Sequence, residues 1–116
     1  MARETRLRKT AEFAAVLQKG KRWSNDLLVL GACPNGLEVN RYGFSVGKRL
    51  GKAVLRNRIK RRLRESTREL PSRTGWDVVL IARQGASTAT YKTLRDALRD
   101  LMRSAGLLCP PAVLIL

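Results

Sequence analysis

A dense run of cationic side chains from Lys48 to Arg68 constrains this chain more than any other feature. Ten of its 21 residues are Lys or Arg, and Glu65 is its one carboxylate. Apolar residues recur within the run at helical spacing, namely Leu55, Ile59 and Leu63. At about 100° per residue they share one side of a helix. We therefore expect a helix over residues 53–70, held on a core by this apolar stripe.

The opposite half of the predicted helix is cationic. It carries Arg56, Asn57, Lys60, Arg61, Arg64 and Arg68, while Arg58 and Arg62 project beside the stripe. Guanidinium groups bind phosphate oxygens bidentately and stay charged at any working pH. An asparagine amide both donates and accepts at a sugar or base edge. Because so many like charges repel one another, the face predicts a polyanionic partner.

Composition supports a small globular protein that binds an anion. The 116 residues have room for one domain, 44% of them are hydrophobic, and 24 Lys+Arg against 9 Asp+Glu give a formal charge of +15. This excess predicts nucleic acid or an anionic membrane surface as the partner. Cys33 and Cys109 have no metal-ligand spacing, and no secretory signal precedes them. We expect reduced cysteines, no metal site and a cytoplasmic protein.

The remaining pattern predicts the element order α-β-β-α-β-α. Predicted helices cover residues 10–19 and follow Thr88 or Thr90, and predicted strands lie near residues 27–30, 41–47 and 76–82. The pair Asn35-Gly36 predicts a hairpin between the first two strands. The expected fold is α+β, a two-layer α/β sandwich in a single domain over residues 1–116, with residues 1–6 and 106–116 as peripheral tails.

The basic run also resembles a known signature. The pattern Leu50-x-x-Ala53-x-x-Arg56-Asn57-Arg58-Ile59-Lys60-Arg61-x-Leu63-Arg64 is similar to that of the bacterial ribonuclease P protein subunit, with Arg-Asn-Arg at its centre. The resemblance extends from about Arg6 to Met102. It implies a strand–helix–strand crossover of the uncommon left hand around the basic helix, whereas the general rule predicts the right hand.

Residue chemistry alone predicts a binding protein rather than a self-sufficient nuclease. The chain has no histidine, and its carboxylates are dispersed. The close pairs Glu65/Glu69 and Asp96/Asp100 lie among arginines on predicted helices, where local ion pairing is expected. No group of residues has the spacing of a general acid and base or of a metal site, so we predict no catalytic residue in the protein.

The resemblance implies a role for such a protein. In bacterial ribonuclease P the RNA subunit catalyses Mg²⁺-dependent removal of the 5′ leader from precursor tRNA, and the protein is an accessory subunit of this endoribonuclease. The ion is held mainly by the RNA. By this resemblance, the catalytic RNA is bound by Arg56, Asn57, Arg58, Lys60, Arg61 and Arg64. The leader is bound by Phe13, Leu17, Lys48, Lys52 and Arg83.

Several residues of the predicted leader site have an alternative interpretation or differ from the family pattern. Phe13 is equally compatible with a core position. Leu17 and Gly31 stand where the family often carries aromatic residues. Along the predicted strand 41–47, Gly43, Ser45 and Gly47 form a small face that would let a polymer backbone approach, with Arg41 and Lys48 at its ends.

Three other classes of function fit parts of the pattern. A structural RNA-binding protein, such as a ribosomal component, explains the charge and the lack of catalytic residues equally well. A DNA-binding helix is disfavoured because no short partner helix precedes Ala53. A membrane-surface helix is disfavoured because the apolar stripe lacks aromatic residues. We therefore expect neither DNA nor a membrane as partner.

Overall fold

Five strands form one sheet and three helices pack against it in the computed structural model, which describes residues 5–7 and 10–108. The helices are α1 (Thr10–Lys19), α2 (Ala53–Glu69) and α3 (Tyr91–Ala105). The strands are β1 (Thr5–Arg6), β2 (Lys21–Ser24), β3 (Leu28–Pro34), β4 (Arg41–Ser45) and β5 (Trp76–Ala82). The α+β class and the order of the six predicted elements are confirmed, and β1 and β2 are two short strands that the pattern did not predict.

The strands are arranged in the order β1-β4-β5-β3-β2, which differs from the predicted direct pairing of β3 with β4. Strand β5 lies between β3 and β4, antiparallel to the former and parallel to the latter, so the predicted Asn35-Gly36 hairpin is wrong. Asn35 and Gly36 do form a turn, in which Gly36 has a φ of 72° and the Asn35 side chain accepts the Leu37 amide at 2.7 Å. The turn leads away from β3 because the central position beside it is filled by a strand from much later in the chain.

Helices cover both faces of the sheet. Leu28, Leu30, Val78 and Leu80 point to the face where α2 and α3 form the main core. The alternate residues, such as Val79 and Ile81, point to the other face and pack with Val16 of α1. The predicted two-layer sandwich accounts for the α2–α3 side, and α1 adds a partial layer on the other.

Helix α2 is anchored as its stripe predicts. Ile59, Leu63 and Ser66 are at most 1% exposed, and Leu55 packs at the edge of the main core. The buried Ser66 hydroxyl donates to the Arg62 carbonyl at 2.8 Å, so it carries no unsatisfied hydrogen bond into the core. The helix joins the parallel neighbours β4 and β5 as a strand–helix–strand crossover.

Helix α3 has well-defined ends. Thr90 caps it by accepting the Thr93 amide at 3.1 Å, and Gly106 ends it in the left-handed conformation with a φ of 74°. Arginines on its outer surface pair with Asp96 and Asp100, as expected for a scaffold element. Within the described residues, no helix is both long enough and apolar enough to span a bilayer.

The folded body includes parts of both predicted tails. Thr5 and Arg6 pair with β4, Leu7 is 4% exposed, and the Leu107 side chain is 2% exposed in the main core. The Leu107 carbonyl accepts the Arg73 amide at 2.8 Å. These segments are ordered because each contributes an apolar side chain and backbone hydrogen bonds. Cys109 and the rest of the predicted tails lie outside the described residues.

A partly buried ion pair ties β4 to β5. Arg41 Nε and Nη2 donate to the two oxygens of Asp77 at 2.7 and 2.6 Å, and Asn35 Nδ2 donates to the same carboxylate at 3.0 Å. Burial alone would raise the pKa of Asp77. The hydrogen bonds from Arg41 and Asn35, together with the charge of Arg41, outweigh it and hold the pKa below its ordinary value.

We expect Asp77→Asn to lower the free energy of unfolding by about 2–3 kcal/mol at pH 7, because it leaves the Arg41 guanidinium without its partner charge. Since the folded-state pKa of Asp77 is depressed, the contribution is complete above the unfolded value near about 4 and is lost as pH falls through the folded pKa. Urea unfolding from pH 7 to pH 2 should therefore show the two proteins converging in acid.

Asp100→Asn is the matched control, because Asp100 forms an exposed pair with Arg103 at 3.5 Å. It should change stability by less than about 0.5 kcal/mol at any of these pH values. A constant difference between wild type and Asp77→Asn across the whole pH range would contradict the assigned role.

Candidate nucleic-acid interface

Helix α2 presents three different surfaces around its buried stripe. Asn57, Arg58 and Arg61 are exposed on the outside, and the first-turn residue Val54 beside them is 73% exposed. Arg62 lies on the side next to α3, where its Nη1 donates to the Ala89 carbonyl at 3.0 Å. The third surface carries Lys60 and Arg64 and faces away from α3. Five of the six predicted RNA-subunit contacts are thus divided between two directions, and the sixth, Arg56, is half-buried with its Nε donating to the Gly51 carbonyl at 3.1 Å.

The surface with Lys60 and Arg64 borders a groove between α2, α1 and the edge of the sheet, which we name the α1–α2 groove. It consists of three adjoining cavities of about 480, 400 and 600 Å³. The first two share Phe13, Phe44 and Lys60, and the last two share Ser45 and Ile81. Because neighbouring cavities share lining residues, the groove is continuous from Arg64 at one end to Arg83 at the other.

Two aromatic rings line the groove near its cationic end. The Phe13 ring sits on Gly43, where a Cβ would lie 2.5 Å from Phe13 Cζ. The Phe44 ring is nearly parallel to that of Tyr42, with centroids 6.3 Å apart. The small face predicted to admit a polymer backbone is therefore covered at Gly43 by a side chain of this chain, and that expectation was wrong there. The half-buried rings of Phe13 and Phe44 are the surfaces that remain accessible.

Leu17 fills the space above Gly31 in the same way. A Cβ at Gly31 would lie 2.9 Å from Leu17 Cδ2. Leu17 and Gly31, the two positions that lack the expected aromatic residue, thus fit each other. Gly31 on β3 has no side chain, so there is room above it for Leu17 of α1. Leu17 lines the middle cavity as an aliphatic wall.

The far end of the groove carries predicted leader contacts. Lys48 and Arg83 line the third cavity, beyond the carboxyl ends of β4 and β5. Arg83 Nη1 donates to the Asn25 carbonyl at 2.9 Å, which leaves its other nitrogens available. Lys52 is exposed at the residue before α2 and does not line a described cavity.

Arg41 does not belong to the groove. It was expected at the end of the small face, but its guanidinium is paired with Asp77. In addition, Arg41 Nη1 lies 3.8 Å from Glu12 Oε2. The side chain stabilises the sheet because Asp77 lies opposite it on the neighbouring parallel strand. Glu69 also differs from expectation, since it reaches Arg95 of α3 at 3.4 Å rather than pairing locally.

Sequence reasoning missed two groove residues, Phe44 and Arg6. Phe44 alternates in phase with Tyr42 and Val46, and this pattern gives no sign that its ring borders a groove. It is only half-buried because β4 lies next to the two-residue edge strand β1, where the sheet ends. Arg6 lines the first cavity because β1 pairs with β4.

Comparisons with known proteins agree with this architecture. The family model described as Ribonuclease P matches residues 1–106. The ribonuclease P protein component of Caldanaerobacter subterraneus is 46% identical over 105 residues, covering 89% of this chain and 90% of that protein. That of Clostridium botulinum strain Langeland is 43% identical over 108 residues, covering 90% and 97%.

Solved structures give the same result. The RNase P protein of Staphylococcus aureus superimposes with a TM-score of 0.82 at 32% identity, covering 92% of this chain and all of that one. The RNase P protein of Thermotoga maritima gives 0.76 at 32% identity, covering 86% and 97%. These relatives favour the resemblance seen in the basic run over the ribosomal alternative.

The fit between Phe13 and Gly43 can be tested directly. Gly43→Ala should lower the free energy of unfolding by about 1–3 kcal/mol, because the new methyl group displaces the Phe13 ring. Gly47→Ala is the control, since a Cβ there meets no atom within 4 Å. Phe13→Ala should remove most of the cost of Gly43→Ala when the two are combined. Equal effects of the two glycine substitutions in urea unfolding would contradict the contact.

Proposed function

The chain belongs to the ribonuclease P protein family, and from this premise we propose that it binds two RNA surfaces at once. The outer surface of α2 binds the catalytic RNA, and the α1–α2 groove binds the single-stranded 5′ leader of precursor tRNA. The observation that carries the proposal is that one helix borders both surfaces. Asn57, Arg58 and Arg61 point outward while Lys60 and Arg64 line the groove.

The outer surface suits a structured RNA. Arg58 and Arg61 are exposed guanidinium groups with no hydrogen bond or ion pair to any described residue, and Asn57 lies between them on the helix surface. Guanidinium groups bind phosphates bidentately, and the amide adds a donor and an acceptor for a ribose or base edge. Such contacts position the protein on the RNA through its backbone and shape.

The groove suits an unpaired strand. It has accessible aromatic rings at Phe13 and Phe44, with Lys60 and Arg64 at one end and Lys48 and Arg83 at the other. Bases stack on aromatic rings whatever their identity, and cations follow the phosphates. We therefore assign leader binding to the groove and expect wide tolerance of leader sequence. Lys52, just outside the groove, would act as an additional charge near the strand.

Catalysis is assigned to the RNA subunit of a Mg²⁺-dependent endoribonuclease. Among the described residues, no group of three or more His, Cys, Asp or Glu side chains is placed so that it could hold a metal ion. We propose that RNA phosphates hold the Mg²⁺ and that the protein, with its charge of +15, reduces repulsion between the two RNAs. We propose that the complex acts in the cytoplasm.

Replacing Phe13 tests the leader site. Phe13→Leu keeps an apolar side chain on Gly43 but removes the ring. It should raise the Kd of the holoenzyme for leader-bearing precursor tRNA about fivefold or more, because base–aromatic stacking contributes about 1–3 kcal/mol. The Kd for mature tRNA should not change. Leu37→Ala, at an exposed apolar residue outside the groove, is the control. Equal losses for precursor and mature tRNA would contradict a leader contact.

Replacing outward arginines tests the RNA-subunit site. The double variant Arg58→Ala, Arg61→Ala should weaken binding to a bacterial ribonuclease P RNA. It should also reduce the slope of log K against log salt by about 1.4–1.8, since each lost phosphate contact removes about 0.7–0.9. It should raise the Mg²⁺ concentration at which the reconstituted enzyme processes 5′ ends.

The matched control is Arg99→Ala, Arg103→Ala on α3, which removes the same charge from side chains paired with Asp96 and Asp100. An unchanged salt slope in the α2 variant, or the same change in both variants, would overturn the assignment. Failure of the wild-type chain to stimulate processing at low Mg²⁺ would overturn the proposed function itself.

A further inference from the structure

Arg83 is held at the end of the α1–α2 groove by the turn that joins β2 to β3. This turn consists of Asn25, Asp26 and Leu27. Arg83 Nη1 donates to the Asn25 carbonyl at 2.9 Å, and the Arg83 amide donates to the Leu27 carbonyl at 2.8 Å. The same three-residue turn therefore fixes both the backbone and the guanidinium of Arg83. The direction of this guanidinium in the groove depends on where the turn lies.

The Asn25 side chain sets the shape of the turn. Its Oδ1 accepts the amides of Leu27 and Leu28, each at 3.0 Å, and the Asn25 amide donates to the Leu28 carbonyl at 3.0 Å. Asparagine forms such turns readily, because its short side chain takes the place of a backbone acceptor. If the carboxamide were removed, two backbone amides would lose their acceptor and the turn would lose its fixed shape.

The nitrogen of the same carboxamide ties the turn to α3. Asn25 Nδ2 donates to the Ala97 carbonyl at 3.0 Å, a contact between residues 72 positions apart in the chain. Leu27 packs at the edge of the main core, and its Cδ2 is 2.8 Å from where a Cβ on Gly85 would lie. The turn thus lies against both α3 and the segment that follows Arg83. One asparagine side chain connects the scaffold helix to a cation of the groove.

The acceptor that holds the Arg83 guanidinium is neutral. Arg83 donates to a backbone carbonyl, whereas Arg41 is paired with the Asp77 carboxylate. A carbonyl orients a guanidinium without cancelling its charge, so Arg83 keeps its attraction for a phosphate. Its Nε and Nη2 form no hydrogen bond with any described residue, and together they can bind a phosphate bidentately. Arg83 is therefore both oriented and available.

We propose that Asn25 is a positioning residue for leader binding, which fixes the Arg83 guanidinium in the direction that meets a leader phosphate. This role rests on the proposed function, because Arg83 contacts the leader only if the groove binds it. Holding a long side chain in place before binding reduces the rotamer freedom that is lost when the ligand arrives. Loss of the Asn25 side chain should therefore weaken leader binding, although no charge is removed.

The test compares Asn25→Ala with Asn35→Ala in the holoenzyme, with precursor tRNA and mature tRNA as ligands. Asn35 is the matched control because its side chain also organises a turn. Its Oδ1 accepts the Leu37 amide at 2.7 Å, and its Nδ2 donates to the Val39 carbonyl at 3.1 Å. Asn25 precedes β3 and Asn35 follows it, so the two turns lie at opposite ends of this seven-residue strand, roughly 20 Å apart.

Arg83→Ala should raise the Kd for leader-bearing precursor tRNA roughly three- to tenfold. It should also reduce the slope of log K against log salt by about 0.7, the value for one phosphate of a single strand. Asn25→Ala should raise the same Kd roughly two- to fivefold and reduce the slope in the same direction, although the side chain it removes is neutral. The Kd for mature tRNA should not change in either variant. Asn35→Ala should change neither the Kd nor the slope.

The double variant Asn25→Ala, Arg83→Ala should bind precursor tRNA no more weakly than Arg83→Ala alone, because Asn25 acts through Arg83. Asn25→Ser keeps a side-chain oxygen that accepts a turn amide, so its Kd should lie between those of wild type and Asn25→Ala. If Asn25→Ala does not fold, Asn25→Ser takes its place in every comparison.

Equal losses of leader affinity in Asn25→Ala and Asn35→Ala would overturn the positioning role, because both variants would then act through stability. An unchanged salt slope in Asn25→Ala would also overturn it, as would single-variant effects that simply add in the double variant. If Phe13→Leu leaves leader affinity unchanged, the proposed leader site itself fails. If Phe13→Leu weakens leader binding and Asn25→Ala does not, the positioning role alone fails.

Discussion

Burial of one side of α2 is the interaction on which the rest of the structure depends. Fully burying Ile59 and Leu63 contributes about 3–6 kcal/mol. Like charges spaced four residues apart, such as Arg56 with Lys60 and Lys60 with Arg64, each oppose the helix by about 0.2–0.5 kcal/mol. The apolar stripe therefore outweighs the repulsion, and the helix is folded before any RNA neutralises it.

The same stripe also fixes where each cation points. Once Ile59 and Leu63 are seated on the sheet, Lys60 and Arg64 are turned toward the groove, and Arg62 is turned toward α3. A free cationic helix would rotate to follow its ligand, whereas this one presents each surface in a set direction. In the proposed function, two RNA surfaces are therefore held at a defined angle, because burial of one stripe sets the direction of both cationic surfaces.

Periodicity predicted the elements that bury many residues, and it failed where placement depends on distant parts of the chain. The apolar stripe of α2 and the periodicity that predicted α3 and β5 are local signals, and all three elements were located from them. Strands β1 and β2 have two and four residues, too few for a pattern, and they exist because of their partners. The wrong hairpin had the same origin, since β5 inserts between β3 and β4 from later in the chain.

The candidate site was predictable to a similar degree. The basic helix and Phe13 follow from sequence and resemblance, but the exposure of Phe44 depends on its strand lying near the edge of the sheet. Arg41 was expected at the groove, because the sequence does not reveal that it is paired. Its partner, Asp77, is 36 residues away and becomes a neighbour only through the β4–β5 register. Charge along a sequence shows that cations are present, while strand order decides which of them are neutralised.

Because carboxylates neutralise some of the cations and not others, the net charge of +15 is distributed unevenly over the surface. Asp26, Asp96 and Asp100 surround one cavity between the β2–β3 loop and α3, and Glu69 pairs with Arg95 on that side. Asp77 and Glu12 are engaged with Arg41 on the other face of the sheet. No described carboxylate pairs with Lys48 and Arg83 at the groove, or with Arg58 and Arg61 on the outer surface of α2. A polyanion that approaches the protein is attracted to the side that carries these cations. Charge therefore determines which face of the protein it binds, as well as which class of partner binds.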